Sequence, residues 1–411
     1  MDQSPGSTPS RALTIAQLVI SIIDIVLALG SVIALAFVLI TSLDKDLSSP
    51  ENTQLINILF VIVAVIILTV PSLVSSLRYL IGIPPRPAVR RKLLFASLAL
   101  LLVPLLILLG SRLPANPSGV WLSALISVLT ILIPIWWFLE IGRYHLAAGS
   151  VQRQWGLSTF SIFITLPVII LVEIIVLGIG LVLTALWLVQ QPEFAPFVNQ
   201  FSGQFPPDLQ GLENFSFDFL PLLSRPEVIA ALLAAVVLVV PMLEELLKPL
   251  ALWLLHRRGL TPAEGFTAGL ICGAAFALLE SLFSVSAVMP GDWLFTVTGR
   301  LGTGLLHIFT AGLNGWALAS TWRDGRHMRV ALIYILTVLI HGAWNFFAVM
   351  MGLQTITGLP VSGFSSLGAS ASWVLLGMAL FMLIALVLFN RRLRRAVAPP
   401  PLPAMEQTGL E

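Results

Sequence analysis

Residues 228–256 read VIAALLAAVVLVVPMLEELLKPLALWLLH, and this stretch decides what kind of molecule the chain is. From Val228 to Leu243 there is no charged residue, and then Glu244, Glu245 and Lys248 fall between Pro241 and Pro249. At ~1.5 Å per residue the stretch is long enough to cross a hydrocarbon core of ~30 Å. An ionisable side chain at that depth costs several kcal/mol unless it is paired, so three of them in five residues point to chemistry rather than packing. Glu244 and Lys248 stand at i, i+4 with the acid first and can pair on one face. Glu245 is turned by ~100° and is free for another partner. Pro241 and Pro249 weaken the backbone ladder on both sides, which permits a distorted helix that water can enter.

The rest of the chain agrees with a lipid solvent. Of 411 residues, 57% are hydrophobic and 10% charged, with a mean hydropathy of +0.98. A soluble domain carries about 25% charged residues, so a set of water-soluble domains is excluded. The net charge of +2 is small and its charges are scattered, leaving no nucleic-acid footprint. The single cysteine, Cys272, rules out an internal disulfide and reads as a small packing residue. Ten apolar segments are expected to span: about 15–40, 54–76, 93–111, 119–141, 159–189, 228–256, 263–288, 297–321, 330–352 and 370–390. The first is too long for the apolar region of a signal peptide and has no prompt small-residue cleavage site, so it reads as an anchor. The expected fold is all-α and polytopic, with its catalytic bundle in the C-terminal half. The expected organisation is a tail (1–14), a five-helix region of undetermined role (15–190), a Phe-rich loop (191–226), a core (227–390) and a basic, then Pro-rich tail (391–411).

Loop charges set the expected orientation. With the N-terminus in the cytoplasm, seventeen of the 22 lysines and arginines fall on the cytoplasmic side and only Lys45, Arg112 and Arg225 on the other. Both termini are therefore expected to be cytoplasmic. The outer loop 190–226 places seven phenylalanines between Phe194 and Phe219, which suits either an interfacial cap or a substrate-docking lid; Asn214-Phe215-Ser216 matches a glycosylation triplet of low specificity.

Further ionisable residues lie in the spans that follow. The seventh carries Phe276 and Glu280 behind Gly265, Gly269 and Gly273, whose spacing permits close helix approach. The eighth carries Arg300 and His307, and the ninth His341 and Asn345 at i, i+4. Counted from the helix ends, Glu244 and His341 lie ~18 Å from the inner face and His307 ~15 Å from the outer one, near a common midplane. Glu280, at ~25 Å from the inner end, is the misfit. Asp24, Glu140 and Glu173 in the first five helices are each isolated and read as interhelical or interfacial hydrogen-bonding groups. A Glu/His cluster in lipid suits three chemistries: a metal such as Zn²⁺ with an open position for water, metal-free acid–base hydrolysis, or proton and ion translocation. Translocation would predict a repeat of broken helices, which the first five spans do not show.

The set Glu244-Glu245-x-x-Lys248, Phe276-x-x-x-Glu280, Arg300 with His307, and His341-x-x-Trp344-Asn345 resembles the PrsW-type intramembrane proteases, relatives of the CAAX prenyl endopeptidases. Lys248 and Glu280 favour the PrsW branch. The resemblance covers about residues 228–390 and implies hydrolysis of a peptide bond in a single-span membrane protein, such as an anti-sigma factor in stress signalling, in a bacterial cytoplasmic membrane. It implies that Glu244 or Glu245 with His307 activates water, and that His341 and Asn345 hold metal or stabilise the oxyanion. Lys248 balances charge, while Phe276, Glu280 and Arg300 support the site. The metal set it suggests is His307, His341, Glu280 and Glu245, with Zn²⁺ as the expected ion and a metal-free mechanism still open. A non-catalytic scaffold on the same fold is the competing reading.

Overall fold

The structure is a computed structural model that describes residues 10–42, 49–83, 92–113, 116–204, 225–287, 292–353 and 365–397. Among these residues every regular element is helical. The long helices are α1 (Arg11–Thr41), α2 (Pro50–Leu80), α3 (Lys92–Gly110), α4 (Pro117–Gly142), α5 (Val151–Val189), α6 (Pro226–Trp253), α7 (Pro262–Ser286), α8 (Trp293–Asp324), α9 (His327–Leu353) and α10 (Ser365–Val397). Most of the Phe-rich loop, with Asn214, lies outside the described residues; its first part, expected as loop, contains the short helix Ala195–Gln204.

Local sequence explains where these helices start and stop. Asn116 accepts from the Gly119 backbone N–H at 2.8 Å ahead of Pro117, and Ser150 accepts from that of Arg153 at 3.1 Å. Thr261 and Glu264 form a reciprocal capping box at α7. Gly325, at φ 71°, takes the left-handed conformation that ends α8 and lets α9 begin almost at once.

Nine of the described helices are long and apolar enough to cross a membrane, and the chain is a multi-pass integral membrane protein. The eighth of the ten expected spans, 297–321, lies in α8, which is not among the nine. The physical reason is its position. α8 is 32 residues long and mostly buried by protein from Thr303 to Thr321, so it carries Thr, Gly, His and Asn where a lipid-facing helix could not. The apolar outer surface is supplied by other helices: α1, α5 and α10 point large side chains such as Ile33, Leu181 and Trp373 outward.

α7 and α8 form the centre of the bundle, and glycine brings them together. A Cβ on Gly265 would stand 2.3 Å from Ala319 Cβ, one on Gly269 2.2 Å from the Ala311 carbonyl oxygen, and one on Gly273 2.3 Å from that of His307. Rising positions on α7 meet falling positions on α8, so the helices are antiparallel. Cys272 packs, buried, on this pair.

Two of the isolated acids upstream find local partners. Asp24 on α1 accepts a hydrogen bond from Thr69 on α2 at 2.7 Å, and Glu140 pairs with Arg143. Glu173 on α5 keeps a buried Oε1 without a hydrogen-bond partner.

Candidate active site

Four successive helices, α6 to α9, supply the site. In α6 the helix widens into a π segment at Ala235–Val239 and breaks after Lys248, on either side of the paired glutamates. Such π insertions recur at functional sites because they displace backbone and free carbonyls. Here Asn345 of α9 donates its Nδ2 to the Val236 carbonyl at 3.0 Å. Gly342 lets α9 come close, since a Cβ there would meet the Val237 oxygen at 2.3 Å.

Glu245 is wholly buried and saturated. Oε1 accepts from Lys248 Nζ at 2.8 Å and from the Thr310 hydroxyl at 3.1 Å, while Oε2 accepts from Asn314 Nδ2 at 3.1 Å. Thr337 links to Asn314 in turn at 3.2 Å. Against this acceptor-only carboxylate, His341 Nδ1, 2.9 Å from Oε1, is the protonated nitrogen. The lone pair of His341 Nε2 is left on the side of Glu244, whose Oε2 lies 3.9 Å away.

His307 is oriented in the same way from the other direction. Its Nε2 lies 2.7 Å from Glu280 Oε2, and Glu280 is itself 2.9 Å from Arg300 Nη2. Its Nδ1 faces Glu244 Oε2 at 3.8 Å and Lys248 Nζ at 2.7 Å. Each imidazole thus has one nitrogen beside a supporting carboxylate, hydrogen-bonded at His341 and in close contact without alignment at His307, and the other turned inward, the pattern that orients metal-binding histidines. The Phe276 ring packs edge-on to His307 at 4.9 Å and lies 4.7 Å from Lys248 Nζ.

Glu280 reaches the cluster despite its depth along α7. Gly273, not Glu280, is level with His307, a gap of seven residues or ~10 Å. Helical side chains lean toward their own N-terminus. In antiparallel α7 and α8, Glu280 and His307 therefore lean toward each other.

A cavity of about 380 Å³ opens on this cluster, lined by Glu244, Glu280, Arg300, His307, His341, Asn345 and apolar side chains of α6 and α9. Glu245 and Lys248 are not part of its wall. Glu244, His307 and His341 are all buried and present ligand atoms within 4.8 Å of one another. These donors fit a divalent cation. Glu244 Oε2, His307 Nε2 and Glu280 Oε2 are buried without an aligned hydrogen bond. The Lys248 ammonium, 2.8 Å from Glu244 Oε2, is a stand-in positive charge against the first of these atoms. Two imidazoles and a carboxylate match the three-ligand pattern of a zinc site that keeps a position open.

Three residues escaped the sequence reading: Thr310 and Asn314, which hold Glu245, and Thr337, which holds Asn314. Their only signal is spacing, three and seven residues beyond His307 and four before His341.

The fold and the site define a polytopic helical membrane protein with a buried Glu/His/His cluster that can hold a metal ion. A family model described as PrsW family intramembrane metalloprotease matches residues 167–388, more than half of the chain, and the chain belongs to that family. The matched region begins within α5 and so takes in Glu173 as well as α6 to α9. Comparisons with curated proteins and with solved structures give no match. The buried cluster and the family membership together support a metallopeptidase-like active site.

Proposed function

We propose that the chain cleaves a peptide bond within the membrane-embedded part of a single-span protein, the substrate class to which an anti-sigma factor in stress signalling belongs. The observation that carries this is the convergence of Glu244, His307 and His341 on a cavity inside the helical bundle, where a scissile bond and water can meet away from bulk solvent. Glu244, the member of the glutamate pair on the cavity wall, takes the proton of the attacking water and returns it to the leaving amine. Glu245 and Glu280 hold the imidazole tautomers. Asn345 uses one N–H on Val236 and directs the other at the developing oxyanion. His307, His341 and Glu244 would hold a bound divalent metal, which supplies a Lewis acid for the carbonyl and acidifies water. Lys248 and Arg300 offset the carboxylate charge.

The core 227–390 carries this chemistry, and residues 15–190 serve packing and substrate access. Both termini face the cytoplasm of a bacterial cell. The test is cleavage of a single-span reporter by purified chain reconstituted in lipid, beside a metal assay. A chain that binds metal yet leaves a panel of single-span reporters intact, in the parental form and the Glu244→Gln form alike, defeats the proposal and favours a non-catalytic scaffold.

A further inference from the structure

A second cavity, of about 210 Å³, lies away from the active site, between the start of α1, the start of α5 and the end of α6. It is amphipathic along its length. Leu13, Ile20, Phe160 and Leu254 make its walls apolar, while Gln152, Arg153 and Arg258 bring polar groups from helix ends.

The polar groups specify what would fit. Gln152 is 8% exposed. Its Nε2 donates to Thr14 Oγ1 at 3.0 Å and to Gln17 Oε1 at 2.6 Å. Gln17 in turn donates to Ser72 Oγ at 2.9 Å, so the orientation of the Gln152 amide is locked. Gln152 Oε1 is consequently an acceptor, and it is buried without a partner. Arg153 holds Glu264 through Nη2 at 2.8 Å, yet its Nε is buried without a partner. Arg258, half-buried at the cavity, forms no ion pair among the described residues. An unsatisfied buried donor and acceptor each carry a desolvation penalty that a ligand would relieve. The occupant must therefore present an anion to the arginines, a hydrogen-bond donor to Gln152 and an apolar chain to the walls.

We propose that this cavity is a binding site for one anionic glycerophospholipid with a hydroxylated headgroup, of the phosphatidylglycerol kind. The phosphate sits between the Arg153 guanidinium and Arg258, a headgroup hydroxyl donates to Gln152 Oε1, and an acyl chain runs between α1 and the end of α6. The polar end lies at helix termini and the apolar end runs into the spans, which is the direction a bilayer lipid takes.

The test uses the full chain in detergent, titrated with phosphatidylglycerol and followed by native mass spectrometry. The parental protein is expected to retain one lipid that phosphatidylcholine replaces at least tenfold less well. Arg258→Gln removes the phosphate contact, and Ala16→Phe fills the cavity from an exposed position on α1. Each is expected to weaken retention roughly tenfold or more. Melting temperature reports that both variants fold, and Ala16→Leu replaces Ala16→Phe if that protein does not accumulate. Parental affinity in either kind of variant overturns the site. So does equal binding of phosphatidylcholine, or displacement of the lipid by glycerol phosphate alone.

Discussion

Lys248 Nζ lies 2.7 Å from His307 Nδ1, with both side chains buried. The ammonium is also 2.8 Å from Glu244 and from Glu245, so one lysine joins the inward nitrogen of His307 to both glutamates of α6. Around it, Glu244, Glu245 and Glu280 are opposed by Lys248 and Arg300, which leaves one net negative charge with neutral imidazoles. A buried group of like charges is stable only if that excess is met by a cation, a proton or water.

Lys248→Met should separate charge balance from ligation. Removing the ammonium makes the cluster more negative and frees His307 Nδ1, so metal retention should equal or exceed the parental level. Cleavage should fall sharply, because Glu245 loses a charge-assisted hydrogen bond and no longer positions His341 as firmly. Metal analysis with a cleavage assay decides it. Loss of both metal and fold would show instead that the lysine is needed for the bundle to form.

The site residues should act as a unit. Glu244→Gln, His307→Ala and His341→Ala are each expected to abolish measurable cleavage, and the double variants should lose little more, since groups that serve one step are not additive. Additive losses across the pairs would place these residues in separate roles.

Asn345→Ala is expected to leave a slow residual rate. An oxyanion donor contributes about 2.7–4 kcal/mol, a loss of roughly a hundred- to a thousandfold. Single-turnover cleavage measures this. A rate within a fewfold of the parent would confine Asn345 to its structural bond with Val236.

Gly269→Leu should unfold the centre of the bundle. The added side chain would begin 2.2 Å from the Ala311 carbonyl oxygen of α8, and backbone cannot yield as a flexible side chain does. Overpacking of this kind costs about 1–3 kcal/mol or more. The melting temperature should drop, and Gly299→Leu, where a Cβ meets nothing within 4 Å, serves as the control. Equal melting temperatures would show that α7 and α8 separate freely.

Reporter fusions test the orientation. A reporter after Gly325 should lie in the cytoplasm and one after Gln210 outside it, as the loop charges require. The opposite pattern would invert the molecule and the direction from which substrate enters.

Much of the site was legible in order along the chain. Glu244, Glu245 and Lys248 stand out because after Glu227 in the first turn nothing else in their helix is charged, and His307, His341, Glu280 and Asn345 because polar side chains are costly at that depth. Thr310, Asn314 and Thr337 were not legible. Threonine and asparagine also occur in membrane helices as packing residues, and only the rotation of α8 and α9 shows that Thr310 and Asn314 face Glu245 and that Thr337 backs Asn314. α8 was expected as an ordinary span, because residue counting records length and cannot tell a helix wrapped in protein from one bathed in lipid.

By itself the sequence determined that the chain is helical and membrane-embedded and that four successive helices carry the chemistry, since lipid tolerates neither open backbone nor stray charge. Only the tertiary structure decided how the carboxylates divide. Glu244 faces the cavity, Glu245 is sealed behind His341, and Glu280 comes down to His307. Neighbouring glutamates are equivalent in a linear sequence. They become distinct only when packing fixes the rotation of each helix and the lean of each side chain, which sets which oxygen is saturated by donors and which is left facing the cavity.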